Sequence, residues 1–385
     1  MDHHSTTPLD RRVWDAMQPF FTEHFGNAAS IQHRRGWIAK EAVDIARAKI
    51  AGALSAQPRE IIFTGGATES NNLAIKGVAE QLKANGNHII TTQIEHASVL
   101  ESCRRLERQG YSVTYLPVDA YGLIDIEELK QCITPATVLV SVMMANNEIG
   151  TLQSMEMIGN VCAERNVVFH TDATQALGKI PIDVNSMNIR LLSCSSHKIY
   201  GPKGIGALFR HVRNTRVPLS PQIDGAGQEH GMRSGTLNVP GIVGFGTAVQ
   251  IAIDEMESEQ LRISSLRDDL QRKLLSIGDI SVNGHPTRRL SNTINITIHG
   301  VSADRLMTEM NDVAISAGSA CLSENTGDDG YSHVLKAIGL DRQSARSTVR
   351  IGIGRNTTAD EIDFAFRRFS ETIQMIRTQT MVQTV

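Results

Sequence analysis

No two cysteines in this 385-residue chain stand in a Cys-x-x-Cys pair, and no apolar run nears the ~18–20 residues that a helical membrane span needs. The first absence argues against zinc-ribbon and thioredoxin-like chemistry. The second leaves no membrane partner to expect. Neither sign of charge dominates either: 38 Lys and Arg stand against 41 Asp and Glu, for a formal charge of −3. Direct nucleic-acid binding is therefore not expected. The N-terminus, Met1-Asp2-His3-His4, is polar and lacks a signal-peptide pattern. With its unpaired thiols, the chain is expected in a reducing, cytoplasmic setting.

What is present is ordinary for a globular enzyme: 41% hydrophobic and 21% charged residues. The length suggests two domains. Cys103, Cys132, Cys162 and Cys194 sit among apolar or helical neighbours and read as inert packing. Cys321 differs. It follows Ser316-Ala317-Gly318-Ser319-Ala320 and precedes a polar run through Gly330, so an exposed, mobile thiol is expected, followed by a mobile segment, Leu322–Ser332.

Short apolar runs alternate with helical stretches from residue 60 to 210. Ile61–Phe63, His88–Thr91, Val113–Leu116, Val138–Val142 and Val167–His170 read as strands, several apolar on both faces. This pattern predicts an α/β fold with a large, mostly parallel sheet. A second, smaller C-terminal α/β unit opens with a charged helix, Arg262–Leu275. It continues with strands at Thr293–Ile298 and Val349–Ile353 and ends in a helix from about Ala359. A helix over Gly241–Glu257 is expected to link the two units. The expected division is 1–14 as a segment joining the small domain, 15–260 as the large domain, and 261–385 as the small domain with the Cys321 loop.

Three motifs carry chemistry. Gly65-Gly66-Ala67-Thr68 follows a strand and opens a helix, whose free N–H groups suit a single phosphate. No Walker lysine follows it. Asp172, at a strand end in Asp172-Ala173-Thr174-Gln175, can hold a charge-assisted hydrogen bond to a protonated ring nitrogen. Lys198 follows an apolar run and a Ser/Ser/His turn, a setting for a partly desolvated amine able to form a Schiff base. Singly, these are also an ordinary turn with Thr68 as N-cap, a helix cap and a surface lysine. Together, in this order on strand ends, they form the layout of a pyridoxal-phosphate (PLP) enzyme.

With these motifs the chain resembles the cysteine desulfurases of the NifS/IscS type. These are class-V aminotransferase relatives with the aspartate-aminotransferase-like fold (PLP fold-type I). The resemblance runs from His3-His4-Ser5-Thr6-Thr7-Pro8 to the C-terminal helix. It takes in Phe25-Gly26-Asn27 with His33, Gly65–Asn72, Glu95-His96, Asn146–Gly150, Asp172–Gln175, His197-Lys198, Arg233–Thr236 and Ser316–Ser323. Ser196 and Ala28 stand where glycine and proline are common in the family, and Asp328-Asp329 is less typical.

The resemblance implies roles. Lys198 would hold PLP and move protons. His96 would lie over the pyridine ring and relay a proton to or from sulfur. Asp172 would keep the pyridine nitrogen protonated, with Asn147 and Gln175 on the phenolic oxygen. Ala67, Thr68, Ser195 and His197 would hold the phosphate, together with Thr236 of the second subunit of a homodimer. Arg350 and Asn147 would bind substrate. The Cys321 thiolate would then attack the sulfur of L-cysteine, release alanine and keep a persulfide for a sulfur-acceptor protein such as an iron–sulfur scaffold. Transfer towards tRNA or DNA thiolation is equally compatible. A cysteine or cystine C–S lyase, or a selenocysteine lyase, is the rival activity on the same scaffold. A lyase needs no nucleophilic cysteine. A non-catalytic assembly subunit is disfavoured by the joint presence of Lys198, Asp172 and His96. No metal site is expected.

Overall fold

The computed structural model describes residues 1–213, 216–317 and 331–383. Seven strands build the larger sheet: β1 Ile61–Thr64, β2 His88–Thr92, β3 Ser112–Leu116, β4 Thr137–Ser141, β5 Val168–Asp172, β6 Leu191–Ser195 and β7 Gly206–Arg210. Their spatial order is β1-β7-β6-β5-β4-β2-β3. Pairing is parallel from β3 through β6, while β7 runs antiparallel to both β6 and β1. The sheet is thus mostly parallel, with one reversed strand.

The period-two alternation of strands explains why this sheet is apolar on both faces. Phe63, Val140, Phe169, Leu192 and Phe209 point into one core, against Val43 and Ile50 of the helix Arg34–Ala53 and Phe245 and Val249 of the helix Val239–Asp254. Their neighbours Ile62, Leu139, Leu191 and Leu208 point into the other. There they meet Leu73 and Val78 of the helix Ala67–Gln81 and Val99 and Leu106 of the helix Ala97–Glu107. Only β3 departs from this pattern, being half-exposed at the sheet edge.

A second, antiparallel sheet has the order β10-β11-β9-β8, from β8 Ile280–Val282, β9 Thr293–Ile298, β10 Ser316–Ala317 and β11 Thr348–Gly352. Ile294, Ile296, Ile298, Val349 and Ile351 pack against Leu270, Leu274, Ile362 and Phe369 of two long helices. The linking helix differs from its expected bounds. It runs Val239–Asp254, begun by Pro240 and by the Asn238 side chain, which accepts from the Gly241 N–H. The next helix follows after Glu255 and spans Met256–Leu275, starting six residues before the expected Arg262.

The N-terminal residues join both sheets. Asp2 bridges Gly352 of β11, and Gly352 N–H donates to Met1 O at 2.9 Å. Five residues on, Thr7 N–H donates to His197 O at 3.1 Å. The segment between them, His3–Thr6, crosses over the hairpin that joins β6 to β7. That hairpin carries Lys198.

Candidate active site

Strands β2, β4, β5 and β6 run in one direction, and β1 shares it because two antiparallel pairings through β7 restore the sense. Their carboxyl ends therefore meet at one edge, where open α/β sheets bind ligands. A cavity of about 1080 Å³ opens there. It is lined by Ala67, Thr68, His96, Asn147, Asp172, Gln175, Ser195, His197, Lys198 and Arg350, all expected at the site from sequence. Thr236, expected to act on a neighbouring subunit, is exposed and is not part of this lining. Cys321 lies outside the described residues, as does most of the expected mobile loop. The loop's far end departs from expectation. Ser332 is buried, donates to Glu148 Oε2 at 2.6 Å and caps the helix His333–Ala337.

The anion-binding end rests on two glycines. Gly66 has φ of +151°, a conformation only glycine adopts readily. On β7, Gly206 lies between Ser195 and Thr64, and a Cβ there would come within 2.7 Å of the Gly66 backbone. Gly66 is also the N-cap of the helix Ala67–Gln81, with no side-chain cap. Thr68 lies inside the helix, so the alternative reading of it as an ordinary N-cap does not hold. Ala67 and Thr68 of the first turn line the cavity, and free N–H groups at a helix start suit an oxyanion. Lys76, Lys198 and Lys203 add positive charge to the lining. Burial, and then the Lys198 and Lys203 charges, push His197 down to about 4, so it is neutral here and hydrogen-bonds Thr6 Oγ1 at 3.1 Å.

At the end of β5, Asp172 is buried, and its described donors are neutral: Thr174 N–H at 2.9 Å and Asn71 Nδ2 at 2.7 Å. These two donors orient the carboxylate. Lys198 Nζ, in the β6–β7 hairpin, donates to His4 O at 2.5 Å and Ser5 O at 2.7 Å. Gln175 is gripped from behind. Its Oε1 accepts from Lys179 Nζ at 2.8 Å and from His4 Nδ1 at 3.2 Å, and its Nε2 donates to His4 O at 3.1 Å. Because the His4 carbonyl can only accept, it fixes which way the Gln175 amide faces. Desolvation, followed by the nearby Lys198 charge, brings Lys179 down to about 7.

His96 begins the helix Ala97–Glu107, and its Nδ1 accepts from Ser98 N–H at 3.2 Å. Beside it, Glu95 is fully buried. Burial pushes its carboxyl up to about 8 even though Met143 N–H and Thr92 Oγ1 donate to Oε1. Arg350, buried on β11, donates to Asn147 O, Asp2 Oδ1, Ser5 Oγ and Ser316 Oγ. It thereby ties both sheets to the N-terminal segment.

Three buried polar atoms of the lining have no hydrogen-bond partner among the described residues: Asn147 Oδ1, Thr174 Oγ1 and Arg350 Nε. Native proteins rarely leave such groups unpaired. Their meeting around one cavity, beside a helix N-terminus and a buried aspartate, fits a polar anionic guest of the PLP kind. Sequence reasoning passed over His4, Asn71, Ser98 and Lys179 as individual residues. Asn71 did leave a signal, since it shares a helix face with Ala74, Ile75 and Val78 and is thus a polar residue at a core position.

The chain belongs to the aminotransferase class-V family, whose model matches residues 1–364. Within it, the chain is similar to the cysteine desulfurase IscS of Histophilus somni, 48% identical over 98% of this chain and 93% of that relative. Among solved structures it is similar to a NifS-like protein, with a TM-score of 0.90, 36% identity, and 97% of this chain and 98% of that one covered. A second, described as SspA in complex with cysteine, matches with a TM-score of 0.80 and 40% identity, covering 91% of this chain and 97% of that one. The expected fold class and family agree with these likenesses.

Proposed function

We propose that this chain is a PLP-dependent cysteine desulfurase that converts L-cysteine to L-alanine and passes the sulfur through a persulfide on Cys321. The observation that carries this reading is the convergence of Lys198, Asp172, His96 and Arg350 on one cavity, in a chain 48% identical to a cysteine desulfurase. When bound, PLP supplies an electron sink for the carbanion at the substrate Cα.

The chain's own residues do the rest. The first turn of the helix Ala67–Gln81, Ser195 and His197 hold the phosphate, and Thr236 of a second copy completes that site in a homodimer. Asp172 keeps a proton on the pyridine nitrogen. Asn147 and Gln175 donate to the phenolic oxygen. Lys198 anchors the cofactor and moves the Cα proton. Arg350 pairs with the substrate carboxylate, to which its Nε, without a partner among the described residues, can donate a further hydrogen bond. His96 serves the proton to or from sulfur. The Cys321 thiolate attacks the substrate sulfur; an S–S bond forms, the C–S bond breaks, and the carbon keeps the electron pair and takes a proton to become the methyl group of alanine.

Residues 15–260 form the cofactor-binding domain and 261–385 the smaller one in this reading, while the 1–14 segment joins both, reaching the smaller sheet at Asp2 and packing Val13 into the larger core. No described helix is long and apolar enough to cross a membrane, in keeping with a cytoplasmic enzyme serving a protein acceptor such as an iron–sulfur scaffold. The test is turnover of L-cysteine with a reductant. Alanine and sulfide in equal amounts are expected, whereas pyruvate and ammonia in place of alanine would make the protein a C–S lyase.

A further inference from the structure

Asn71 lies on the helix Ala67–Gln81 and is fully buried. Its Nδ2 donates to Asp172 Oδ2 at 2.7 Å and to Ser98 Oγ at 2.9 Å. An amide nitrogen has two hydrogens, so both are used. Ser98 is also buried, and its Oγ lies 2.9 Å from His96 Nδ1. The sense of each bond follows from its neighbour. An ionised Asp172 can only accept, so Asn71 must turn its nitrogen toward it. Ser98 Oγ then accepts from Asn71 and has one hydrogen left, which goes to His96 Nδ1. The Ser98 main-chain N–H, which can only donate, points at the same nitrogen from 3.2 Å. Asn71 Oδ1 is left buried with no partner among the described residues, an orientation disfavoured unless something enforces it. The carboxylate is what enforces it.

We propose that Asn71 and Ser98 are a positioning pair coupling the Asp172 carboxylate to the His96 ring, so that the neutral imidazole carries its proton on Nε2 and presents it to the cleft. The coupling rests on the roles of Asp172 and His96 given above. It adds that the electron-sink aspartate and the proton-handling histidine are set by one chain of donors. A change in the charge of Asp172 is felt at His96 Nδ1 through one amide and one hydroxyl. At Nδ1 the only described donors are the two groups of Ser98, so proton exchange with the substrate side is confined to Nε2.

The experiment is ¹⁵N NMR of the histidine rings in the full-length protein, with and without PLP, paired with steady-state kinetics. In the unaltered protein His96 is expected as the Nε2–H tautomer. Asn71→Leu frees the Ser98 hydroxyl, and Ser98→Ala removes it. Each should shift the tautomer ratio toward Nδ1–H by about three- to tenfold, the equilibrium worth of one neutral hydrogen bond. With L-cysteine, kcat should fall by about tenfold while KM holds, because Arg350 is untouched, and Ser98→Thr should restore both readouts. Should Asn71→Leu fail to fold, Ser98→Ala and Ser98→Thr still decide the matter. An Nδ1–H tautomer in the unaltered protein, or a ratio that neither variant moves, would overturn the proposal. The tautomer is read without turnover, so failure to produce alanine would count against the desulfurase reading alone.

Discussion

Lys198 is clasped by the N-terminal segment: its Nζ donates to the main-chain oxygens of His4 and Ser5, 194 and 193 residues away in sequence. Two carbonyls aim this amine into the cavity, and no second described lysine is held in that place. Lys198→Ala is therefore expected to abolish alanine production from L-cysteine, as measured by amino-acid analysis. Turnover at the normal rate would show that another group anchors the cofactor.

Asp172 is held by two neutral donors. Asp172→Ala should retain some PLP through the phosphate contacts yet lose about 10²–10³ in kcat, the usual scale for a lost preorganised electrostatic partner. The visible spectrum of the purified variant reports retention, and the alanine assay reports rate. Near-normal rates would mean the ring nitrogen is served by a different residue.

Burial pushes the thiols of Cys103, Cys162 and Cys194 up to about 12, leaving almost no thiolate near neutral pH. Cys132 is only half-buried, a less enclosed setting than its neighbours in sequence suggested, and its thiol is also raised by desolvation. After exposure to L-cysteine, mass spectrometry should find the extra sulfur on Cys321. Cys321→Ser should bind PLP and form no persulfide. Sulfur on any of the other four cysteines would refute the assignment.

Glu95 gives a signed pH dependence. Its ordinary pKa of 4.5 is raised to about 8, first by burial and also by the Asp172 charge. Between those values the native state holds a proton that the unfolded chain has lost. Stability from this group is thus full below about pH 4.5 and declines as pH rises to 8, by at most about 1.4 kcal/mol per unit. Glu95→Gln, which cannot ionise, should gain on the unaltered protein in urea midpoints at pH 8 relative to pH 5. An unchanged difference between the two proteins across that range would show that Glu95 is ionised throughout.

Thr236 is exposed and is not part of the cavity lining of its own chain. If it completes a neighbour's phosphate site, Thr236→Ala should weaken PLP retention by roughly 1.5–3 kcal/mol, one hydrogen bond to a charged group. Mixing chains carrying Lys198→Ala with chains carrying Thr236→Ala sharpens this. In mixed dimers, both defects fall on the Lys198→Ala chain's site, so the other site should be intact. A stable monomer with full PLP affinity would rule the arrangement out.

Local sequence determined the elements and the composition of the site. Apolar runs such as Val138–Val142 and Thr293–Ile298 are readable because strand burial leaves its mark residue by residue. The glycine pair before a helix, the aspartate at a strand end and the lysine in a turn each sit where local backbone chemistry requires them. The sequence did not reveal that β7 is reversed, that the linking helix is broken at Glu255, or that the N-terminal segment closes over Lys198. Nor did it show that Asn71 joins Asp172 to His96. These depend on which strands and helices become neighbours. Asn71 and Asp172 are 101 residues apart, and their 2.7 Å contact exists because strand order and helix packing bring the first turns of the helix Ala67–Gln81 over the end of β5. That placement is set by the burial of two apolar sheet faces at once, a property of the whole core rather than of any local segment.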